Sequence, residues 1–331
     1  MLKKTISCLL LFVFCLWLPG PLRAEAAPAL TRITFIPQWV PQAQFAGYYV
    51  ALETGIYKDY GLDVKIISGG PGRPSSEYLK NRKADFASLW LVTALDLCSQ
   101  GAAVVNLAQM VQRSALMLVA KKESGILKPK DMAGRKISLW GGPFAIQPQL
   151  FFKQFDLKIQ ALQQSYSINL FLRDGVAVTS AMWYNEYHTI LNAGIDPEEL
   201  TTFFYADYNL NYPEDGIYCR EEMWRQHPEL CRAFVEASIK GWELAFAKPD
   251  PALDIIMRNL KKEHIITNRI HQKWMLQRMH DIILPTGGPE SMGHLDRKDF
   301  QRVVNDLKIN GCIDRAPAYN DFHRPPAGER Q

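Results

Sequence analysis

Cysteine and histidine are scarce, and neither is spaced for chemistry. The chain of 331 residues carries six cysteines and seven histidines. Cys8 and Cys15 lie inside an N-terminal apolar run and lack the small-residue context of a lipid-attachment site. Cys98, Cys219, Cys231 and Cys312 are isolated, so C-x-x-C and related metal-ligand spacings are absent. His271 and His280 are nine apart, off the i, i+4 spacing that aligns two ligands on one helix face. No metal site and no cofactor are expected. An excess of one charge is also missing: 38 Lys and Arg stand against 34 Asp and Glu, a net charge of +4. Without a basic stripe, nucleic-acid binding has no electrostatic support. There is no G-x-S-x-G elbow, no P-loop spacing, no internal repeat and no low-complexity tract. No second apolar run reaches membrane length.

What is present begins with an export signal. Lys3 and Lys4 precede an apolar run from Ile6 to Leu18, well short of the roughly 20 residues of a spanning helix. Ala24-Glu25-Ala26 then offers an A-x-A cleavage position, so residues 1–26 read as a signal peptide and Ala27 as the mature start. Its removal takes away three basic residues and one acidic residue, leaving a nearly balanced exported chain. In such a compartment a Cys219–Cys231 disulfide is conceivable, with buried free thiols an equal alternative.

Along the chain, short apolar strands alternate with amphipathic helices. Strands are expected at 32–36, 62–67, 84–89, 103–108 and 115–120, with helices at 43–54, 75–81 and 90–99. After the charged stretch 121–130 a second unit starts, with strands at 136–140, 161–166, 176–181, 200–205 and 215–219. Beyond Arg220 the pattern is helical, with Pro228, Pro249 and Pro251 placed as helix starts. This rhythm predicts an α/β fold: lobe 1 from 27–120 plus 220–331, lobe 2 from 121–219. The chain would cross twice between them, near Ala120 and Cys219. Residues 324–331 read as a disordered tail.

Several segments then stand in an order that resembles a known family. They are Trp39-Val40-Pro41 through Phe45-Ala46-Gly47-Tyr48-Tyr49, Gly55-Ile56-Tyr57 with Gly61-Leu62-Asp63-Val64, Lys83-Ala84-Asp85-Phe86, Asp131 to Ile137, and Tyr184-Asn185-Glu186-Tyr187. Over residues 31 to 315 the chain resembles the periplasmic solute-binding proteins of ABC importers, in the branch tied to the thiamine pyrimidine precursor. The resemblance implies a type II two-lobed fold with two crossover strands and mixed, mostly parallel sheets. It also implies capture of a formylaminopyrimidine-like heteroaromatic and its delivery to a permease, by a periplasmic monomer that is not an enzyme. Relatives that bind riboflavin, sulfonates or nitrate leave the ligand open, and a sensor feeding a signalling protein would share the fold. Fungal relatives make the thiamine pyrimidine from pyridoxal phosphate with their own histidine and a cysteine-rich cluster, which this sequence lacks.

The candidate ligand residues follow strands. Trp39 is either a stacking wall, adding roughly 0.5–1.5 kcal/mol beyond buried area, or a core tryptophan. Gln44 and Tyr48, at the following helix, are either polar contacts or packing. Gly70-Pro71 and Gly141-Gly142 either let backbone approach a ligand or simply form turns. Trp90 and Trp140, at strand ends, are further walls. Glu186 would accept paired N–H donors from an aminopyrimidine, with Asn185 beside it and Tyr184 or Tyr187 as a stacking face. The bland alternative for Glu186 is an acid in a helix's first turn. Asp207, Tyr208 and Tyr212 are weaker rim candidates.

Overall fold

The computed structural model describes residues 29–285 and 292–325. The expected signal peptide and most of the expected tail lie outside the described residues. No helix among the described residues is long and apolar enough to cross a membrane.

Ten strands form two five-stranded sheets. The first contains β1 (Thr31–Ile36), β2 (Leu62–Ile66), β3 (Phe86–Trp90), β4 (Val104–Gln109) and β10 (Asp215–Arg220), in the order β2-β1-β3-β10-β4. The second contains β5 (Leu116–Lys121), β6 (Lys136–Leu139), β7 (Gln160–Gln163), β8 (Val178–Met182) and β9 (Leu200–Phe204), in the order β7-β6-β8-β5-β9. Both sheets are mixed. β1 pairs in parallel with β2 and β3, and β6 with β7 and β8, through helical crossovers. The parallel share is half, because each sheet also takes in one antiparallel strand that arrives from the other sheet. β10 lies between β3 and β4, and β5 between β8 and β9.

That arrangement corrects the expected boundaries, which fall one strand late. The strand expected at 115–120 belongs to the second sheet, and the strand expected at 215–219 to the first. Both are buried almost throughout, so an apolar run of either kind fits the middle of either sheet and does not reveal which. In β5 the alternation of side chains splits its residues between two cores. Leu116, Leu118 and Ala120 join the large core, while Met117 and Val119 join a smaller one with Phe171, Ala181, Ile190 and Leu200.

The connections between the sheets, 110–115 and 205–214, run side by side. The N–H groups of Met110 and Val111 both donate to the Asp215 carbonyl (3.1 and 2.9 Å), and Glu214 N–H donates to the Val111 carbonyl (3.2 Å).

The late helices pack back on the first sheet's helices, as expected. The helix Ala46–Glu53 crosses Pro228–Ala247 at a pair of glycines: a Cβ on Gly241 would stand 2.1 Å from the Gly47 carbonyl oxygen. Pro228 and Pro249 open their helices, where a missing N–H costs nothing. Cys98, Cys219, Cys231 and Cys312 are free thiols, with Cys219 and Cys231 fully buried. Burial pushes the Cys219 thiol up, and neighbouring Cys231 adds to the shift.

Candidate functional site

The C-terminal end of β1 leads into the loop 37–42, and that loop is held firmly. Gln38 N–H donates to Ser88 Oγ of β3 (2.9 Å). From the other side the backbone of Gly69 presses against it, so that a Cβ there would lie 2.0 Å from the Pro37 carbonyl oxygen. Held this way, half-buried Trp39 faces Tyr166, which follows β7, with ring centroids 5.6 Å apart. A second aromatic contact joins the two sheets deeper down. Trp90 ends β3, and its ring meets Phe144 edge-on at 4.5 Å. Phe144 in turn lies 5.8 Å from Trp140, at the end of β6, whose Nε1 donates to the Ser165 carbonyl (3.2 Å).

Beside Trp90 lies a buried polar cluster. Gln44 accepts from Gln42 Nε2 (2.5 Å) and donates to Asp215 Oδ2 (2.7 Å). Asp215 opens β10 directly opposite Trp90. Its neighbour Glu214 accepts at Oε1 from Ala115 N–H (2.6 Å) and from Ser114 Oγ (3.2 Å). Gln147 Nε2 donates to Ser114 Oγ (3.1 Å) and to the Leu210 carbonyl (2.9 Å), binding the two connections together. Three polar atoms here are buried without a hydrogen-bond partner among the described residues: Asp215 Oδ1, Glu214 Oε2 and Trp90 Nε1.

Burial dominates the electrostatics. It pushes the Asp215 carboxyl up to about 7, against the lowering effect of the Gln44 bond. It pushes Glu214 up to about 8, with the Ala115 N–H opposing and the Asp215 charge adding. Desolvation disfavours the charged form, and a like charge nearby does the same. The buried Tyr184 phenol is raised by burial and then by the charges of Glu214, Asp215 and Glu186, which places its ring near all three carboxylates. Tyr48 is raised by burial and then by Asp215.

Of the residues expected from sequence, Trp39, Gln44, Trp90, Trp140 and Tyr184 lie at this junction between the sheets, whereas the Tyr48 ring packs in the first lobe's core against Phe35 (4.6 Å) and Trp242 (5.9 Å). The others serve different roles. Gly70 is buried with φ +128° and backs Val40, while Pro71 is exposed. Gly141 and Gly142 are exposed too, with Gly142 at φ +62°.

Glu186 departs most from expectation. Its Oε2 accepts from Met182 N–H (2.9 Å) and its Oε1 from Asn185 Nδ2 (2.8 Å), so both oxygens already have protein donors at the start of the helix Glu186–Asn192. Burial still raises this carboxyl, against those bonds. Asn185 Oδ1 faces His271 Nε2 (2.9 Å), and Tyr187 leans on Trp274 at 6.2 Å. Asp207 pairs with Arg113 (2.6 Å), Tyr208 packs edge-on to Phe151 and Phe155, and Tyr212 donates to Asp306 (2.7 Å). Each of the three is therefore taken up by packing or pairing rather than by a cleft rim.

Glu214 and Asp215 were missed from the sequence. Their signal was two adjacent acids entering the apolar run Ile217-Tyr218-Cys219, a place where strand interiors rarely tolerate charge. Among the described residues, no group of three or more His, Cys, Asp or Glu side chains could hold a metal ion.

Two sheets, two crossings and an aromatic-walled junction define a two-lobed solute-binding fold. The same architecture is found in the periplasmic aliphatic sulphonate binding protein SsuA of Escherichia coli, with a TM-score of 0.72 at 13% identity, covering 92% of this chain and 95% of that one. The chain belongs to the NMT1/THI5-like family, whose model matches residues 42–252. It is 26% identical over 255 residues to the riboflavin-binding protein RibY of Chloroflexus aurantiacus, covering 72% of this chain and 69% of RibY. It is 24% identical over 309 residues to the formylaminopyrimidine-binding protein of Halalkalibacterium halodurans, covering 88% and 89%. A yeast enzyme, the 4-amino-5-hydroxymethyl-2-methylpyrimidine phosphate synthase THI11 of Saccharomyces cerevisiae, is 26% identical over 246 residues, covering 66% and 68%.

Proposed function

We propose that this protein captures a small planar heteroaromatic solute between its lobes, in the periplasm and as a monomer, and passes it to the permease of an ABC importer. An aminopyrimidine of the thiamine-precursor type is the ligand we favour. The hinge on this reading is the pair of connections 110–115 and 205–214, and the walls are Trp39, Trp90, Trp140 and Tyr184.

The observation that carries the proposal is the pair of aromatic contacts between the sheets, Trp39 with Tyr166 and Trp90 with Phe144. Rings brought together from the two sheets offer flat apolar faces to which a planar guest is suited. A ligand closes such a hinge only through contacts it makes in the closed state. The relationship to the formylaminopyrimidine-binding protein, which spans most of both chains, supports the pyrimidine. The enzyme reading has less support: the neighbouring Cys219 and Cys231 are fully buried, out of reach of a substrate.

The test is a titration of the mature protein, followed by tryptophan fluorescence, with formylaminopyrimidine, riboflavin and an alkanesulfonate. Quenching that saturates with the pyrimidine supports the proposal. Silence with both the pyrimidine and the flavin would sink it.

A further inference from the structure

We infer that Glu214 and Asp215 set the charge class of the ligand: the deep end of the cleft takes a neutral or cationic nitrogen heterocycle that presents N–H donors, and rejects acceptor-only anions such as sulfonates. This rests on the cleft reading above and adds which chemistry the cleft accepts.

Placement comes first. Asp215 and Trp90 are directly opposed in an antiparallel pair, and opposed residues project from the same face of a sheet. The Trp90 ring is the one that meets Phe144 from the other lobe, so Asp215 stands beside a ring facing across the cleft. Glu214 is the preceding residue, on the connection between lobes, with Tyr184 near both carboxyls.

Satisfaction comes second. Glu214 and Asp215 are 1% and 3% exposed, and each keeps one oxygen free of any partner among the described residues. The other oxygens take donors from Gln44, Ser114 and the Ala115 backbone, all neutral. One further buried group here, Trp90 Nε1 (4% exposed), has no partner among the described residues. With the carboxyls ionised, the local inventory is thus two acceptors and one donor-only group. An amidine edge, with ring nitrogen and exocyclic NH₂, matches it: N–H donors to the carboxylates and a ring acceptor to the indole. A sulfonate offers only acceptors and would bring a negative charge against two carboxyls in a site shielded from water.

The same geometry fixes the sign of a proton linkage. With carboxyls raised to about 7 and about 8 by burial, the pair holds protons near neutral pH. A donor ligand favours the ionised form and expels a proton, whereas an anion favours the protonated form and takes one up.

The experiment is calorimetry on the mature protein at pH 7.5, in two buffers of different ionisation enthalpy. The probes are formylaminopyrimidine, riboflavin and ethanesulfonate. We expect a nitrogen heterocycle to bind with net proton release and ethanesulfonate not to bind. Asp215→Asn should weaken the heterocycle at least tenfold and shrink the release, and Glu214→Gln should do the same to a smaller degree. If one variant fails to fold, the other carries the comparison. Ethanesulfonate binding with proton uptake overturns the charge assignment while leaving solute capture intact. Heterocycle affinity within twofold of wild type in both variants overturns it as well. Failure of all three probes overturns both readings together.

Discussion

The Nδ1 atoms of His188 and His271 face each other at 2.9 Å, joining a helix of the second lobe to the helix Arg269–Ile283. Such a contact needs a hydrogen on one nitrogen and a lone pair on the other. Asn185 decides which. Its amide nitrogen is committed to Glu186, so its oxygen faces His271 Nε2, and that nitrogen must carry the hydrogen. A neutral His271 then has a bare Nδ1 facing His188 Nδ1, an atom that also lies 3.2 Å from the Asn192 amide nitrogen. Trp274 stacks on His188 at 4.9 Å, and Arg278 lies over the Trp274 and Trp183 rings.

Acid should loosen this junction. Burial, then the charge of His188, holds His271 down at about 4, below the ordinary 6.5, and burial lowers His188 as well. The unfolded chain therefore binds more protons than the folded one between about pH 6.5 and 4. Stability that is complete above 6.5 is lost as pH falls through that window. Thermal melts across pH 4 to 7 should show the decline, and His271→Ala should have a lower but flatter profile. An equally steep acid limb in that variant would assign the loss to other groups.

The carboxyl pair makes the opposite prediction. Glu214 and Asp215 have folded values raised to about 8 and about 7, above their ordinary 4.5 and 3.8. The folded state holds the extra protons, so their contribution is intact below about pH 4 and is lost as pH rises through 7 and 8. Glu214→Gln should raise the Tm of the ligand-free protein at pH 8.5 relative to wild type and change it little at pH 5. A lower Tm at pH 8.5 would mean that the carboxylate is stabilised there by something other than its neutral donors.

Much of this was legible in the sequence, for identifiable reasons. The strands are short apolar runs bounded by glycine or charge, and Trp39, Trp90 and Trp140 were chosen because strand ends in α/β sheets point at clefts; their rings lie where the two sheets meet. The placement of β5 and β10 was not legible, because a strand buried on both faces fits either sheet. The donors that already hold Glu186 were not legible either. An acid at a helix start after an apolar strand looks available, and only the folded chain brings Met182 N–H and the Asn185 amide to its oxygens. The partner of Gln44, Asp215, lies 171 residues downstream, across a pairing that no local pattern records.

The contrast between Trp39 and Glu186 tests the site directly. Trp39→Ala should weaken formylaminopyrimidine binding about tenfold, from lost stacking plus lost apolar area. Glu186→Gln should leave affinity within about threefold, roughly 0.6 kcal/mol. It should lower stability by about 1 kcal/mol, because its new NH₂ would face the Asn185 amide donor. The reverse pattern, a tolerant Trp39 and a sensitive Glu186, would return the ligand to the helix start.

Gly69 offers the last test, because it acts on the site without touching a ligand. A methyl group there would lie 2.0 Å from the Pro37 carbonyl oxygen and 3.1 Å from that of Trp39. Both neighbours are backbone, so rotamer changes give no relief and the loop 37–42 must shift. Overpacking of this kind costs about 1–3 kcal/mol. The displaced loop carries Trp39 away from Tyr166, so Gly69→Ala should lose affinity along with stability. Gly72→Ala, where a Cβ meets nothing within 4 Å, should leave both unchanged. Equal affinities in the two variants would show that the loop's position does not govern the aromatic wall.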